Sequence, residues 1–126
     1  MKTLLKNGHI FTEKGFEKRD VFVVDDRLSF SDFPTYDDSI DYDSFLLIPG
    51  FTDVHVHFRE PGFFYKETIK TGTQAAARGG YTAVCTMPNL DPAPSSLEAL
   101  EKQLEIIRRD AVVKVNPYGT ITKEQH

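Results

Sequence analysis

From Phe51 onward the sequence runs strand, helix, strand, helix, strand with short connections, and this rhythm constrains the fold more than any other feature. Phe51 to Phe58 alternates and ends at Pro61-Gly62, as a strand would. Lys66 to Arg78 reads as a helix stopped by Gly79-Gly80. Tyr81 to Thr86 is β-branched and apolar, a second strand, and a proline-rich loop follows from Met87 to Pro94. Ser95 is expected to open a second helix, with Glu98 three residues on in capping-box spacing. Leu97, Leu100, Leu104 and Ile107 would line its apolar face, with Glu98/Lys102 and Glu105/Arg109 as i,i+4 pairs on the other. Ala111 to Val115 reads as a third strand. Such an order predicts an α/β fold with parallel pairing and right-handed crossovers. It is either the start of a (β/α)8 barrel or a slice of an open doubly wound sheet. In both, chemistry gathers at the C-terminal ends of the strands. No glycine-rich phosphate loop follows the first strand, which argues against a nucleotide site.

Residues 1–49 have a different rhythm. Leu4-Leu5, His9 to Thr12, Val21 to Val24 and Leu28 to Phe30 are short β-branched and aromatic runs. Turn residues separate them: Asn7-Gly8, a hairpin signal, then Glu13-Lys14-Gly15 and Asp25-Asp26. The expectation is a small β domain over 1–49 followed by barrel-type elements over 50–126. Fifty residues bury little core, so the β piece is expected to lean on another domain.

Composition narrows the function classes. Net charge is −4, which argues against a nucleic-acid surface. The acidic excess gathers in Asp32, Asp37, Asp38, Asp41 and Asp43, whose spacing does not fit an EF-hand loop; a solvated acidic loop is expected. No apolar run approaches the roughly 20 residues of a membrane span. The start of the sequence has no apolar signal region, and a single cysteine cannot form an internal disulfide. A cytoplasmic location is the expectation.

The segment richest in chemistry is Asp53-Val54-His55-Val56-His57-Phe58-Arg59. Alternate side chains of a strand share a face, so Asp53, His55 and His57 are expected on one side, with Arg59 extending the series. Val54, Val56 and Phe58 would face a covering helix. Imidazoles at i and i+2 stand roughly 6–7 Å apart along a strand, close enough for both to reach one metal ion at about 2.0–2.1 Å. A single strand histidine is usually a satisfied polar residue, but two on one face of an apolar strand must each find a partner. His9 beside a turn and His126 at the last position are read as bystanders, and Cys85 as a buried small hydrophobe. Asn89, in Thr86-Met87-Pro88-Asn89, could form an Asx-turn or donate an amide N–H to a ligand. Arg59 beside it favours the ligand, because a guanidinium forks onto a carboxylate through two N–H donors. Paired imidazoles, an Arg fork and an amide donor suit metal-activated hydrolysis of an anionic substrate.

These residues resemble the dihydroorotase family of amidohydrolases. The likeness is carried by His55-Val56-His57-Phe58-Arg59-Glu60-Pro61-Gly62, Tyr65-Lys66-Glu67, Thr71-Gly72-Thr73, Ala75 to Gly80 and Met87-Pro88-Asn89, in the family's order and spacing. Ile48 to Asp53 and Lys6-Asn7-Gly8 resemble it too. The resemblance implies a (β/α)8 barrel preceded by the N-terminal part of a composite β-sandwich. His55 and His57 would be zinc ligands, one or two Zn2+ per complete site, and Arg59 and Asn89 would bind the substrate carboxylate. The reaction implied is reversible closure of N-carbamoyl-L-aspartate to L-dihydroorotate with loss of water, in pyrimidine biosynthesis. A homodimer, or association with another enzyme of that pathway, is the implied assembly. Relatives acting on hydantoins or allantoin share the histidines but generally not the arginine, so Arg59 favours a carboxylate-bearing ring.

The resemblance also shows what these residues lack. From residue 51 onward there are 76 residues, against about 250 for a complete barrel. A catalytic zinc site has three protein ligands, and only two stand here. Neither Lys102 nor Lys114 stands at the family's carboxylated-lysine position, and the general base is expected beyond His126. The chain is therefore read as the N-terminal fragment of a longer enzyme, inactive alone. The rival readings are a non-catalytic dihydroorotase-like partner subunit and a related cyclic amidase, a hydantoinase or allantoinase.

Overall fold

A computed structural model of the chain describes residues 1–122; His126 lies outside the described residues. The chain divides into two compact units, Met1–Pro49 and a second beginning at Gly50.

The first unit is two small sheets. Strands β1 (Lys2–Lys6), β4 (Val21–Val24), β5 (Arg27–Ser29) and β6 (Asp38–Asp41) form one in the order β5-β4-β1-β6. Strands β2 (His9–Thr12), β3 (Gly15–Lys18) and β7 (Leu46–Leu47) form the other in the order β3-β2-β7. Leu5 and Val21 of the first sheet meet Ile10 of the second in one core, with Val23, Tyr42 and Leu47 packed around it.

Two turns behave as their residues predict. Glu13-Lys14 joins β2 to β3, with Gly15 at φ 101°, and Asp25-Asp26 joins β4 to β5, with Asp25 at φ 56°. Asn7-Gly8 does not make a hairpin. Strand β1 is taken by β4 on one edge and β6 on the other, so β2 has no place beside it. Asn7 adopts φ 60°, and the kink carries the chain from one sheet to the other. Its N–H donates to Asp20 at 2.8 Å and its side-chain amide to Asp41 at 3.3 Å. The acidic stretch is also more ordered than a solvated loop. Asp38–Asp41 pairs with β1 through its backbone while its carboxylates stay exposed, so no apolar alternation marks it as a strand. Its neighbours bind locally, Asp37 accepting the Lys2 N–H at 2.7 Å and Asp43 pairing with Lys18.

The second unit is mixed α/β. Strands β8 (Phe51–Val56), β9 (Tyr81–Thr86) and β10 (Lys114–Pro117) form a parallel sheet in the order β10-β9-β8. Helices α1 (Ile69–Arg78) and α2 (Leu97–Asp110) connect them. The core is Phe58, Ile69, Val84 and Val115, with Val56, Ala76, Ile106 and Ile107 among the residues packed on it. The buried Thr73 hydroxyl donates to the Ile69 carbonyl at 2.7 Å and accepts the Val112 N–H at 3.2 Å, tying α1 to the segment entering β10. Among the described residues no helix is long and apolar enough to cross a membrane.

Several boundaries move from their expected places, each for a local reason. Helix α1 starts at Ile69 rather than Lys66, because Thr68 is its extended N-cap and accepts the Thr71 N–H at 3.1 Å. Helix α2 is capped by Ser96 rather than Ser95, its hydroxyl accepting the Ala99 N–H at 3.2 Å. Glu98 therefore closes no capping box, although it does pair with Lys102 at 2.8 Å. Arg109 forks onto its neighbour Asp110 at 2.9 and 2.7 Å instead of reaching Glu105. The helix buries Ala99 and Gln103, while Leu97 is 72% exposed. The stripe of leucines therefore overstates the buried face of α2. Strand β10 begins at Lys114, because Ala111 is still the C-cap of α2.

Candidate functional site

Strand β8 ends at Val56, so His57, Phe58 and Arg59 sit on the connection that follows it. The strand is not evenly pleated. Asp53 pairs with Val84 and Val56 with Thr86, three steps on β8 against two on β9, which is a bulge at Val54-His55. Simple alternation therefore fails across it. Val54, expected under a helix, is 63% exposed. Asp53 turns its carboxylate onto the His55 N–H at 2.9 Å. With Val56, His57, Phe58, Glu67 and Ala76 it lines a cavity of about 310 Å³ between β8 and α1. Asp53 thus shares that lining with the two residues alternation assigns to the opposite face.

The two imidazoles converge all the same. His55 Nε2 and His57 Nε2 are 3.3 Å apart, with ring centroids 5.2 Å apart and planes at 68°. Two donor atoms bound tetrahedrally at 2.0–2.1 Å to one centre lie about 3.3–3.4 Å apart, so the pair has the spacing of ligands to a common ion. Both rings are exposed, not packed dry among aliphatic neighbours. The His57 pKa is lowered from 6.5 by burial first, then by the Arg59 and His55 charges, while hydrogen bonding with the Asn89 side chain works the other way. The net direction favours the neutral imidazole, the form with a free lone pair. Among the described residues no third His, Cys, Asp or Glu joins them in a group that could hold a metal.

Arg59 and Asn89 therefore both act on His57. Their loops are held together where β8 and β9 end. The Met87 N–H donates to the Val56 carbonyl at 2.8 Å, and the Phe58 N–H to the buried Thr86 hydroxyl at 3.4 Å. Farther out, Gly62 at φ +98° lies so close to Asp91 that a Cβ would come within 2.7 Å of the Asp91 Cβ. The Asp91 N–H donates to the Pro61 carbonyl at 3.3 Å. His9 lies in the first unit. Cys85 is half-buried, not buried; its thiol meets the Tyr118 hydroxyl, whose pKa this contact raises. Sequence reasoning gave Thr86 and Glu60 no role of their own, although Glu60 stands in the segment that carries the likeness and Thr86 in the Thr86 to Asn89 candidate.

Residues 44–126 match the model of the "Dihydro-orotase-like" family. Curated relatives include the dihydroorotase of Fusobacterium nucleatum, 50% identical over 98% of this chain, and that of Enterococcus faecalis, 47% identical over 98%. The chain spans 30% of the length of each. Among solved structures, the dihydropyrimidinase of Brevibacillus agri superposes with a TM-score of 0.80 at 27% identity, covering 98% of this chain and 28% of that one. The L-hydantoinase of Arthrobacter aurescens also gives 0.80, at 23% identity over 93% of this chain and 27% of its own, a likeness of fold. Converging imidazoles at the strand ends and a family match over most of the sequence agree: this chain belongs to the dihydro-orotase-like family.

Proposed function

We propose that these residues supply part of the active site of a zinc-dependent dihydroorotase, interconverting N-carbamoyl-L-aspartate and L-dihydroorotate in pyrimidine biosynthesis. The observation that carries this reading is the 3.3 Å separation of His55 Nε2 and His57 Nε2 beside Arg59. Those two nitrogens would hold the ion. The chemistry supplied by bound zinc is that of a Lewis acid for the reacting ring carbonyl. Arg59 binds the substrate carboxylate through two parallel N–H donors, and Asn89 adds an amide donor on the same side. Together they orient the ring so that its amide faces the imidazoles. The parallel order β8, β9, β10 suits the opening of a (β/α)8 barrel, with the third ligand and the general base supplied from outside these residues. On this reading residues 1–126 alone bind zinc weakly and turn over no substrate.

The likeness to the dihydropyrimidinase of Brevibacillus agri favours a second reading, a cyclic amidase for rings without a carboxylate. Arg59 favours the first reading, because a neutral ring leaves the guanidinium without an anion. Parallel assays of the intact protein with dihydroorotate, hydantoin and allantoin separate the two. In the same protein, His57→Ala should lose zinc and activity together. Arg59→Ala should keep zinc and lose roughly 2–5 kcal/mol of substrate binding. Zinc lost from the Arg59 variant and kept in the His57 variant would refute the roles assigned.

A further inference from the structure

The Arg59 guanidinium makes no hydrogen bond or ion pair to another side chain among the described residues, so its aim comes from the backbone that carries it. Both neighbours of Arg59 are fastened to the same helix. Phe58 is 5% exposed, and its ring lies against Gly72 of α1. On the other side, Glu60 Oε2 accepts the Ile69 N–H at 3.0 Å in a partly buried contact. Ile69 is the first residue of α1, and its N–H is one of the donors a helix start leaves without an internal acceptor. The local cap does not reach it, because the Thr68 hydroxyl is engaged with the Thr71 N–H. A carboxylate at this end also meets the positive pole of the helix. Helix α1 is a firm anchor, with Ile69 and Thr73 at 0% exposure. A third tie closes the loop, the Phe63 N–H donating to the Arg59 carbonyl at 2.7 Å.

We infer that Glu60 is a positioning residue for substrate binding: its carboxylate clamps the chain after Arg59 to the start of α1 and thereby aims the guanidinium at the substrate carboxylate. This rests on the reading of Arg59 given above. It separates two neighbouring charges by task, Arg59 touching substrate and Glu60 acting only through Arg59. The test compares Glu60→Ala and Glu60→Gln with the unaltered intact protein, in dihydroorotate kinetics, zinc content and backbone amide exchange. Glu60→Ala should raise KM about tenfold while kcat and zinc stay within about twofold. Exchange should quicken at Ile69 and over residues 59–63 and nowhere else. Glu60→Gln, which keeps an acceptor oxygen, should restore most of the KM. An unchanged KM in Glu60→Ala, or kcat and zinc falling in step with it, overturns the inference. If the unaltered protein does not hydrolyse dihydroorotate, the functional reading fails. Exchange then decides the clamp alone, and unchanged rates at Ile69 and residues 59–63 in Glu60→Ala would refute it.

Discussion

Gly72 offers a test in which two physical effects predict opposite signs. It lies inside α1, where replacing glycine by alanine ordinarily stabilises by about 1 kcal/mol through lost backbone freedom in the unfolded chain. Here the added Cβ would lie 2.5 Å from Phe58 Cδ1, closer still to Cε1 and 3.2 Å from Cζ. Carbon atoms pack at about 3.5–4.0 Å, so the ring must retreat by about 1 Å or more. It cannot swing into solvent, being 5% exposed within the core with Ile69, Val84 and Val115. Overpacking of this kind costs about 1–3 kcal/mol, and the upper end applies because helix and ring are both fixed. The net expectation for Gly72→Ala is a loss of about 1–2 kcal/mol once the propensity gain is offset. Urea denaturation of the intact protein measures it, as a lower midpoint with an unchanged slope. Because Phe58 lies between His57 and Arg59, substrate affinity should fall too. A Gly72→Ala protein as stable as the parent, or more so, would refute the claim that Phe58 is wedged against this helix.

Three further outcomes are expected. Ser96→Ala should cost about 1 kcal/mol by removing the cap of α2, while Ser95→Ala stays within about 0.5 kcal/mol; equal effects in denaturation would place the cap wrongly. Gln103 is buried with neither amide atom hydrogen-bonded to protein. Gln103→Leu should therefore be neutral or stabilising by up to about 1 kcal/mol, and a clear loss in the same assay would reveal a partner for the amide. Chelation of zinc from the intact protein should abolish dihydroorotate hydrolysis, and added zinc should restore it; activity that survives chelation would remove the imidazole pair from the chemistry.

The sequence was most readable where one physical demand dominates a segment. Burial dictates the apolar run of β9, and the glycines after Arg78 end α1 where expected, with Gly80 in the left-handed region at φ +83°. The imidazole pair was legible because two histidines two residues apart at the end of β8 converge despite the bulge. The same bulge made Asp53 and Val54 unreadable, since nothing in their identities announces it. Asn7-Gly8 misled because a left-handed asparagine serves equally well to turn a hairpin or to change sheets, and only the neighbours of β1 decide. Strand β6 was hidden because its pairing is carried by backbone groups under solvated side chains. Glu60 was hidden for a different reason: its partner is a main-chain N–H nine residues on, a tertiary contact without a sequence signature.

The parallel sheet stops at β8 on one rim and at β10 on the other, with no strand beyond either among the described residues. Each rim is a row of amide and carbonyl groups able to zip onto any extended peptide, and Phe51 and Val54 make the β8 rim greasy as well, at 51% and 63% exposure. Such rims favour pairing of one sheet with another. A preparation of these residues on their own is expected to cloud as it is concentrated, its strands finding in one another the neighbours they lack.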